Sequence, residues 1–241
     1  MTDAEYRPTG LEEVGHTHAD VSGGWLRAAV FGAMDGLVTN ISLVAGVGAA
    51  GAPPQIIVLT GVAGLVAGAF SMALGEYTSV QTQNEQVDRE WETEATEIRE
   101  NPKAEERELA GMFVHMGMTR ATAERAALEV HRDEEVATLL HVTQELGLDP
   151  NDKPSPRLAA ISSFLMFSLG ALIPLLPYLL GFDSLTAGLA AGGVGLLAAG
   201  ATASIFTNQR WWSSALRQLC FGAIAAGATY VVGSLIGVNA L

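Results

Sequence analysis

The sequence contains a single cysteine, Cys220, so a fold held together by intramolecular disulfides is excluded. Basic residues are also scarce, because 13 Lys and Arg stand against 26 Asp and Glu, for a formal net charge of −13. Nucleic-acid-binding proteins need Lys and Arg for phosphate contacts, so this balance argues against that class. Charged residues make up only 16% of the chain, whereas soluble domains usually carry about 25%. The composition excludes a disordered chain and a soluble single-core domain, and it favours cationic ligands.

The charges that are present lie mostly in one segment. Residues 81–153 hold 18 of the 26 acidic and 8 of the 13 basic residues, a net charge of −10. This acidic insert separates two apolar regions. The predicted organisation is an N-terminal tail (1–24), two transmembrane helices (25–80), a metal-binding helical domain (81–153) and three further transmembrane helices (154–241).

Five apolar stretches are long enough to cross a bilayer, which requires roughly 20 mostly apolar residues. They are rich in Ala, Leu and Gly and lack the alternation of strands, so they predict helices. The predicted fold is an all-α integral membrane protein with five transmembrane helices and a three-helix acidic insert between helices two and three. The five predicted spans are 27–50, 56–80, 158–181, 184–206 and 214–237.

The basic residues predict the orientation. In a five-span layout all 13 Lys and Arg fall on the side of the membrane that carries the insert. By the positive-inside rule this side is cytoplasmic. The N-terminal tail and the insert are therefore expected inside, and the C-terminus outside.

Glycines recur at small-residue spacing in the spans, for example Gly32 with Gly36 and Gly64 with Gly68. Such residues let membrane helices approach closely. The pattern leaves two interpretations open, which are packing within one chain and a dimer interface.

Asp35 and Glu76 are the only acidic residues within the first two spans. A carboxylate in the membrane costs several kcal/mol, roughly, unless it is protonated, paired or bound to a cation. No Lys or Arg is expected deep enough in either span to neutralise them. Met72 precedes Glu76 by one helical turn, and Thr39 follows Asp35 by one turn. Asp35, Met72 and Glu76 therefore predict a cation pathway.

The insert is predicted to form three helices, over about 81–100, 103–116 and 119–146. Pro102 disfavours helix in the residue before it, and Gly117 is a typical helix C-cap residue. Acidic residues recur one turn apart on the first two helices, as Glu-x-x-Glu pairs that put both carboxylates on one face. Bundle-core metal sites in carboxylate proteins are built in this way. The residues expected to face one cavity are Glu94, Glu97, Glu105, Glu108, Glu134, His141 and Glu145.

His131 lies three residues before Glu134, and two interpretations stay open for them, a metal-binding pair and, as the preferred one, a surface pair.

The motifs DGLVTN at 35–40 and AFSMALGEY at 69–77 resemble those of the vacuolar iron transporter family of plants, yeast and prokaryotes. The resemblance extends from about residue 25 to the C-terminus. It implies a homodimer that exchanges divalent iron for protons, with a path between the two copies of the first span. It also implies that Asp35 and Met72 occupy membrane metal positions, with Glu76 in the same motif.

The resemblance further implies cytoplasmic metal-binding glutamates at Glu94, Glu97, Glu105, Glu108 and Glu145. Plant members have two adjacent methionines where this chain has His141 and Val142. An imidazole can still bind Fe²⁺, whereas a valine cannot, so the preference among iron, manganese, cobalt, nickel and zinc stays open. In a bacterium the implied direction means efflux across the plasma membrane, and in a eukaryote it means transport into the vacuole.

The first functional interpretation is a proton-coupled divalent-metal transporter that moves metal out of the cytosol. It is not an enzyme, it needs no resident cofactor because the metal is substrate, and its partners are membrane lipid and a second copy of the chain. An alternative is a membrane-anchored ferritin-like iron oxidase, but the insert lacks the Glu-x-x-His motif that such dinuclear sites use. A metal sensor or scaffold is a third interpretation, and it leaves Asp35 in the bilayer unexplained.

Overall fold

The structure, a computed structural model, describes residues 24–147, 150, 153–207 and 209–239. The predicted N-terminal tail lies, apart from its last residue, outside the described residues.

All regular structure in the described part of the chain is helical. Among the described residues, five helices are long and apolar enough to cross a membrane. They are α1, α2, α8, α9, and α6 together with its short continuation through α7. The prediction of an all-α integral membrane protein with five transmembrane helices is confirmed. The elements are α1 (Gly24–Ala49), α2 (Pro54–Glu100), α3 (Pro102–His115), α4 (Arg120–Val130), α5 (Glu134–Leu146), α6 (Pro156–Leu172), a 3-10 turn (Ile173–Leu175), α7 (Leu176–Leu179), α8 (Leu185–Thr207) and α9 (Trp211–Asn239).

The second transmembrane helix does not end at the membrane surface. α2 runs without interruption for 47 residues, about 70 Å at 1.5 Å per residue. The predicted second span and the predicted first insert helix are therefore one helix. No glycine or proline lies between residues 76 and 101 to stop it, and it ends immediately before Pro102, as expected.

The predicted third insert helix, 119–146, is wrong as a single helix. α4 ends at Val130 and α5 begins at Glu134. Between them Asp133 has an extended backbone, and its carboxylate accepts hydrogen bonds from the N–H groups of Glu135 and Val136. This N-cap supplies hydrogen-bond acceptors for free N–H groups in the first turn of α5. It therefore favours the start of a new helix over the continuation of α4.

α1 is the central helix of the membrane bundle and packs against α2, α6, α8 and α9. Glycines let it pack backbone to backbone against α6. A side chain at Gly36 would overlap the backbone of Phe167, and one at Gly170 would overlap the backbone of Ala33. The small-residue face of α1 is therefore used for packing within one chain.

Asn40 ties three helices together inside the bundle. Its side chain is fully buried, and Nδ2 donates to the carbonyl oxygens of Gly61 on α2 (3.1 Å) and Ala171 on α6 (2.6 Å). The second bond lies where α6 gives way to the 3-10 turn at Pro174, which lacks an N–H group. These hydrogen bonds in an apolar surrounding fix the position of α1 relative to the helices beside it.

We predict that Gly36→Ala destabilises the protein by about 1–3 kcal/mol, because the new methyl group meets backbone that cannot move aside. Gly227→Ala on α9 is the matched control, since nothing lies within 4 Å of the position that its new methyl group would take. Thermal unfolding of the two purified variants in detergent measures the difference. Equal melting temperatures for both would contradict the close contact of α1 with α6.

Candidate functional site

A cavity of about 370 Å³ lies between α1 and α2, at the end of the bundle that carries the insert. Its residues recur every three or four positions on each helix, which places them on one face of α1 and one face of α2. The lining residues are Arg27, Phe31, Asp35, Thr39, Gly68, Ser71, Met72, Gly75, Glu76, Ser79 and Phe167.

The structure brings the three predicted pathway residues together, since Asp35, Met72 and Glu76 all line this cavity. Each is half-buried. The hydroxyl of Thr39 donates to Oδ1 of Asp35 over 3.5 Å. Two carboxylates and a thioether thus face one space within the membrane-spanning part of the bundle.

The expectation that no basic residue neutralises these carboxylates is wrong for Glu76. Nη2 of Arg27 lies 3.3 Å from Oε2 of Glu76. The arginine lies in the first turn of α1 and its long side chain extends along the cavity, with 69% of that side chain exposed. Asp35 has no basic side chain within ion-pair distance among the described residues. The two membrane carboxylates therefore differ, because one is paired and the other is not.

A second cluster lies in the insert, where α2, α3 and α5 meet. Ligand atoms of Glu94, Glu105 and His141 all lie within 4.8 Å of one another. Nδ1 of His141 is 3.1 Å from Oε1 of Glu94 and 3.7 Å from Oε2 of Glu105. His141 and Glu105 are buried and Glu94 is half-buried.

The buried atoms of this cluster lack hydrogen bonds. Neither ring nitrogen of His141 nor Oε1 of Glu94 has a hydrogen-bond partner within the described part of the chain, despite their short separation. Buried polar atoms are nearly always paired. Burial, followed by the neighbouring His131, lowers the pKa of His141, so the ring is neutral at pH 7. A neutral imidazole and carboxylates turned toward one space form a donor set for a cation.

The glutamates raise one another's pKa. Burial, followed by the charges of Glu145, Glu105, Glu108 and Glu97, raises the pKa of Glu94 to about 7. Burial, followed by a hydrogen bond with Glu108 and by the charge of Glu108, raises the pKa of Glu145 to about 7. The pKa of Glu105 is also raised, first by burial and then by Glu108. A bound cation relieves this repulsion.

The predicted insert residues therefore divide into a buried centre and an exposed rim. Glu94, Glu105 and His141 form the centre, whereas Glu97, Glu108 and Glu145 are exposed beside it. Their role as ligands stays a prediction.

Two further residues of the insert are not where the sequence placed them. Glu134 lies outside the cluster, because its carboxylate pairs with Nε of Arg99 at 3.3 Å. The interpretation of His131 and Glu134 as a surface pair is wrong, since His131 is half-buried and its ring lies beside that of His141. Sequence reasoning missed this position because it depends on the break between α4 and α5.

A family model described as the VIT family matches residues 26–234. This chain belongs to the VIT family. Vacuolar iron transporter 1 of Oryza sativa subsp. japonica is 31% identical over 224 residues, which cover 89% of this chain and 88% of the rice protein. Vacuolar iron transporter of Acanthamoeba castellanii is 32% identical over 234 residues, or 92% and 83% of the two chains. Vacuolar iron transporter homolog 3 of Arabidopsis thaliana is 34% identical over 219 residues, or 88% and 84%.

The match confirms the resemblance drawn from the motifs at 35–40 and 69–77, and it spans both the membrane cavity and the insert cluster of this VIT protein.

The raised carboxyl pKa values predict how metal-free protein responds to pH. Glu94 has a pKa of about 7 in the fold and an ordinary value of 4.5 when unfolded. The folded state thus holds a proton that the unfolded state has lost, and stability falls as pH rises through about 7. Below about 6.5 the lowered pKa of His141 acts in the opposite direction, so the window to measure is about pH 6.5 to 8.

We expect the helical signal of chelator-treated full-length protein to melt at a lower temperature at pH 8 than at pH 6.5, and Glu94→Gln to flatten that change. The effect is smaller than the full linkage value of about 1.4 kcal/mol per pKa unit, because water reaches these groups. Glu129→Gln, at an exposed position on α4, is the control. A pH response identical in wild type and Glu94→Gln would contradict the assignment.

Proposed function

We propose that this chain transports divalent metal ions, Fe²⁺ foremost, out of the cytosol in exchange for protons. The observation that carries the proposal is the membrane cavity, which gathers Asp35, Met72 and Glu76. Relatives that match nearly the whole chain are named vacuolar iron transporters, which supports iron as the substrate.

The donor set of the cavity suits such an ion. Carboxylates alone suit Mg²⁺ and Ca²⁺, and a thioether beside them shifts the preference toward softer transition metals. Asp35 receives only a hydroxyl hydrogen bond, from Thr39. Because an isolated carboxylate in the membrane is costly, it gains from binding either a cation or a proton. Competition between the two for the same oxygens is the physical basis proposed for exchange.

The insert is the proposed collecting site. Its centre offers the carboxylates of Glu94 and Glu105 and the imidazole of His141. Imidazole suits iron, cobalt, nickel and zinc, and carboxylates accept all of them together with manganese. The acidic insert also concentrates cations from the surrounding solution.

The distribution of basic residues supports the direction. The 12 Lys and Arg of the described residues lie on the insert side of the five-span layout, which the positive-inside rule assigns to the cytosol. Metal collected by the insert then leaves the cytosol. In a bacterium this is efflux across the plasma membrane, and in a eukaryote it is sequestration in the vacuole.

The geometry does not favour the oxidase alternative. A ferritin-like oxidase holds two metal ions on a four-helix bundle. In the described part of the insert, only Glu94, Glu105 and His141 form a group with metal-ligand spacing. This group fits one ion.

We predict that Asp35→Asn abolishes metal flux, because the amide keeps the shape of the side chain and loses its charge and its exchangeable proton. The measurement is Fe²⁺ uptake into proteoliposomes with and without a pH gradient. Uptake by the wild type should respond to the gradient. Uptake by the variant should fall at least roughly tenfold, which corresponds to about 1.4 kcal/mol or more in the barrier to transport. Asp183→Asn, in the link between α7 and α8, is the control and should retain flux. Wild-type flux through Asp35→Asn would refute the pathway.

We further propose that the transporter is a homodimer whose two copies meet at the cavity. Phe31 lines the cavity and is 57% exposed in a single chain. Ser71, Gly75 and Ser79, on the wall that α2 forms, are exposed as well. A second copy packed over this opening would remove the carboxylates of the cavity from contact with lipid, which is costly for them.

The dimer proposal is tested by cross-linking. In a background with Cys220→Ser, Phe31→Cys, at the opening of the cavity, should join two copies through a short bis-maleimide in the membrane. A cysteine at Ile224, which is 70% exposed on α9, is the matched control and should not. Cross-linking through position 224 alone would contradict the proposed interface.

A further inference from the structure

His131 has its ring held in a defined orientation at the end of α4. Its Nδ1 lies 2.9 Å from the carbonyl oxygen of Ala127. A carbonyl can only accept, so Nδ1 carries the hydrogen and donates it. In the neutral ring Nε2 then carries a free lone pair. Metal-bound histidines typically have this arrangement, with one ring nitrogen donating to a backbone carbonyl and the other on the metal.

The free nitrogen of His131 is buried beside the insert cluster. Nε2 has no hydrogen-bond partner within the described part of the chain. The rings of His131 and His141 are 5.3 Å apart between centroids and nearly perpendicular, at 88°. His131 is not among the three residues whose ligand atoms all lie within 4.8 Å of one another, which are Glu94, Glu105 and His141. Its buried, unpartnered nitrogen lies next to that group, on the side of the His141 ring.

The break between α4 and α5 creates this juxtaposition. In one continuous helix, residues ten apart are separated by about 15 Å along the axis. His131 instead caps α4, and Asp133 starts α5 in a new direction. The chain thereby folds back and sets the two imidazoles side by side.

We propose that His131 is a further metal ligand of the insert site, through Nε2, and that the site holds its ion with two imidazoles and the carboxylates of Glu94 and Glu105. The inference rests on the proposed function only in that the insert binds metal. Two nitrogen and two oxygen donors suit Zn²⁺, Co²⁺ and Fe²⁺, whereas Mn²⁺ and Mg²⁺ prefer oxygen ligands. His131 thus makes the site select for nitrogen-preferring divalent ions.

The test is the affinity of full-length protein for Zn²⁺ and for Mn²⁺, measured by competition with a chelating dye. An Asp35→Asn background removes the membrane site, so that the insert alone is titrated. His131→Asn is the variant, because its amide can still donate to the carbonyl of Ala127 while the second ring nitrogen is lost. His115→Asn, at an exposed position on α3, is the control.

The expected result is a loss of Zn²⁺ affinity of about tenfold or more in His131→Asn, a change in Mn²⁺ affinity below about threefold, and no change for His115→Asn. X-ray absorption of the Zn²⁺-loaded protein should show two imidazoles per ion in the parent and one in the variant. Unchanged Zn²⁺ affinity, or a single imidazole in the parent, would overturn the proposal. The proposal would also be overturned if His131→Asn lost affinity equally for Zn²⁺ and Mn²⁺ and its metal-free form melted at a lower temperature. That combination indicates that His131 contributes to packing.

These outcomes are separate from those of the transport proposal. If iron flux depends on Asp35 but the insert binds Zn²⁺ equally well without His131, only the role of His131 is refuted. Absence of iron flux from wild type would refute transport, and the two-imidazole site would still be read from the absorption spectrum.

Discussion

A carboxylate that is removed from water must be protonated, paired or bound to a cation, and this requirement governs both sites of the molecule. In the membrane, Glu76 is paired with Arg27, whereas Asp35 receives only the hydroxyl of Thr39. In the insert, Glu94 and Glu105 lie beside a neutral imidazole, and burial, followed by the charges of neighbouring glutamates, raises the pKa of both. The carboxylates that the protein leaves incompletely satisfied are those that a divalent cation would satisfy.

The helix packing keeps these groups from relaxing. Gly36 and Gly170 let α1 and α6 touch backbone to backbone, and Asn40 donates to carbonyls on two of the neighbouring helices, α2 and α6. Asp35 lies one residue before Gly36, so its position on α1 is fixed by this close contact. A carboxylate on a mobile helix could turn toward water or toward Arg27. The packing holds the backbone that carries Asp35 in place, and a fixed backbone is a general requirement for a preorganised ion site.

The sequence predicts those features that depend on local pattern. Long apolar runs define the five spans, and the insert stands out by its charge. Lone acidic residues inside apolar helices are strong signals, so Asp35 and Glu76 are found without a structure. Features set by contacts between distant segments are not found. The pairing of Arg27 with Glu76 depends on how two helices align, and the approach of His131 to His141 depends on a cap at Asp133 that competes with an otherwise continuous helical pattern.

The unbroken α2 relates the two sites in space. Glu76 and Glu94 are 18 residues apart, which is about five turns and about 27 Å, so both lie on the same face of one helix. In the proposed transport, an ion released by the insert would cross this distance before it reaches the cavity, which is lined by the largely exposed side chain of Arg27. The carboxylate of Glu76 partly neutralises the positive charge of Arg27 and so reduces its repulsion of an arriving cation. A metal ion that binds Glu76 must displace the guanidinium, and because this side chain can extend into water, the exchange costs little. In the proposed transport cycle Arg27 thus pairs with Glu76 between ions, and Asp35, which has no basic partner among the described residues, is the group that exchanges metal for proton.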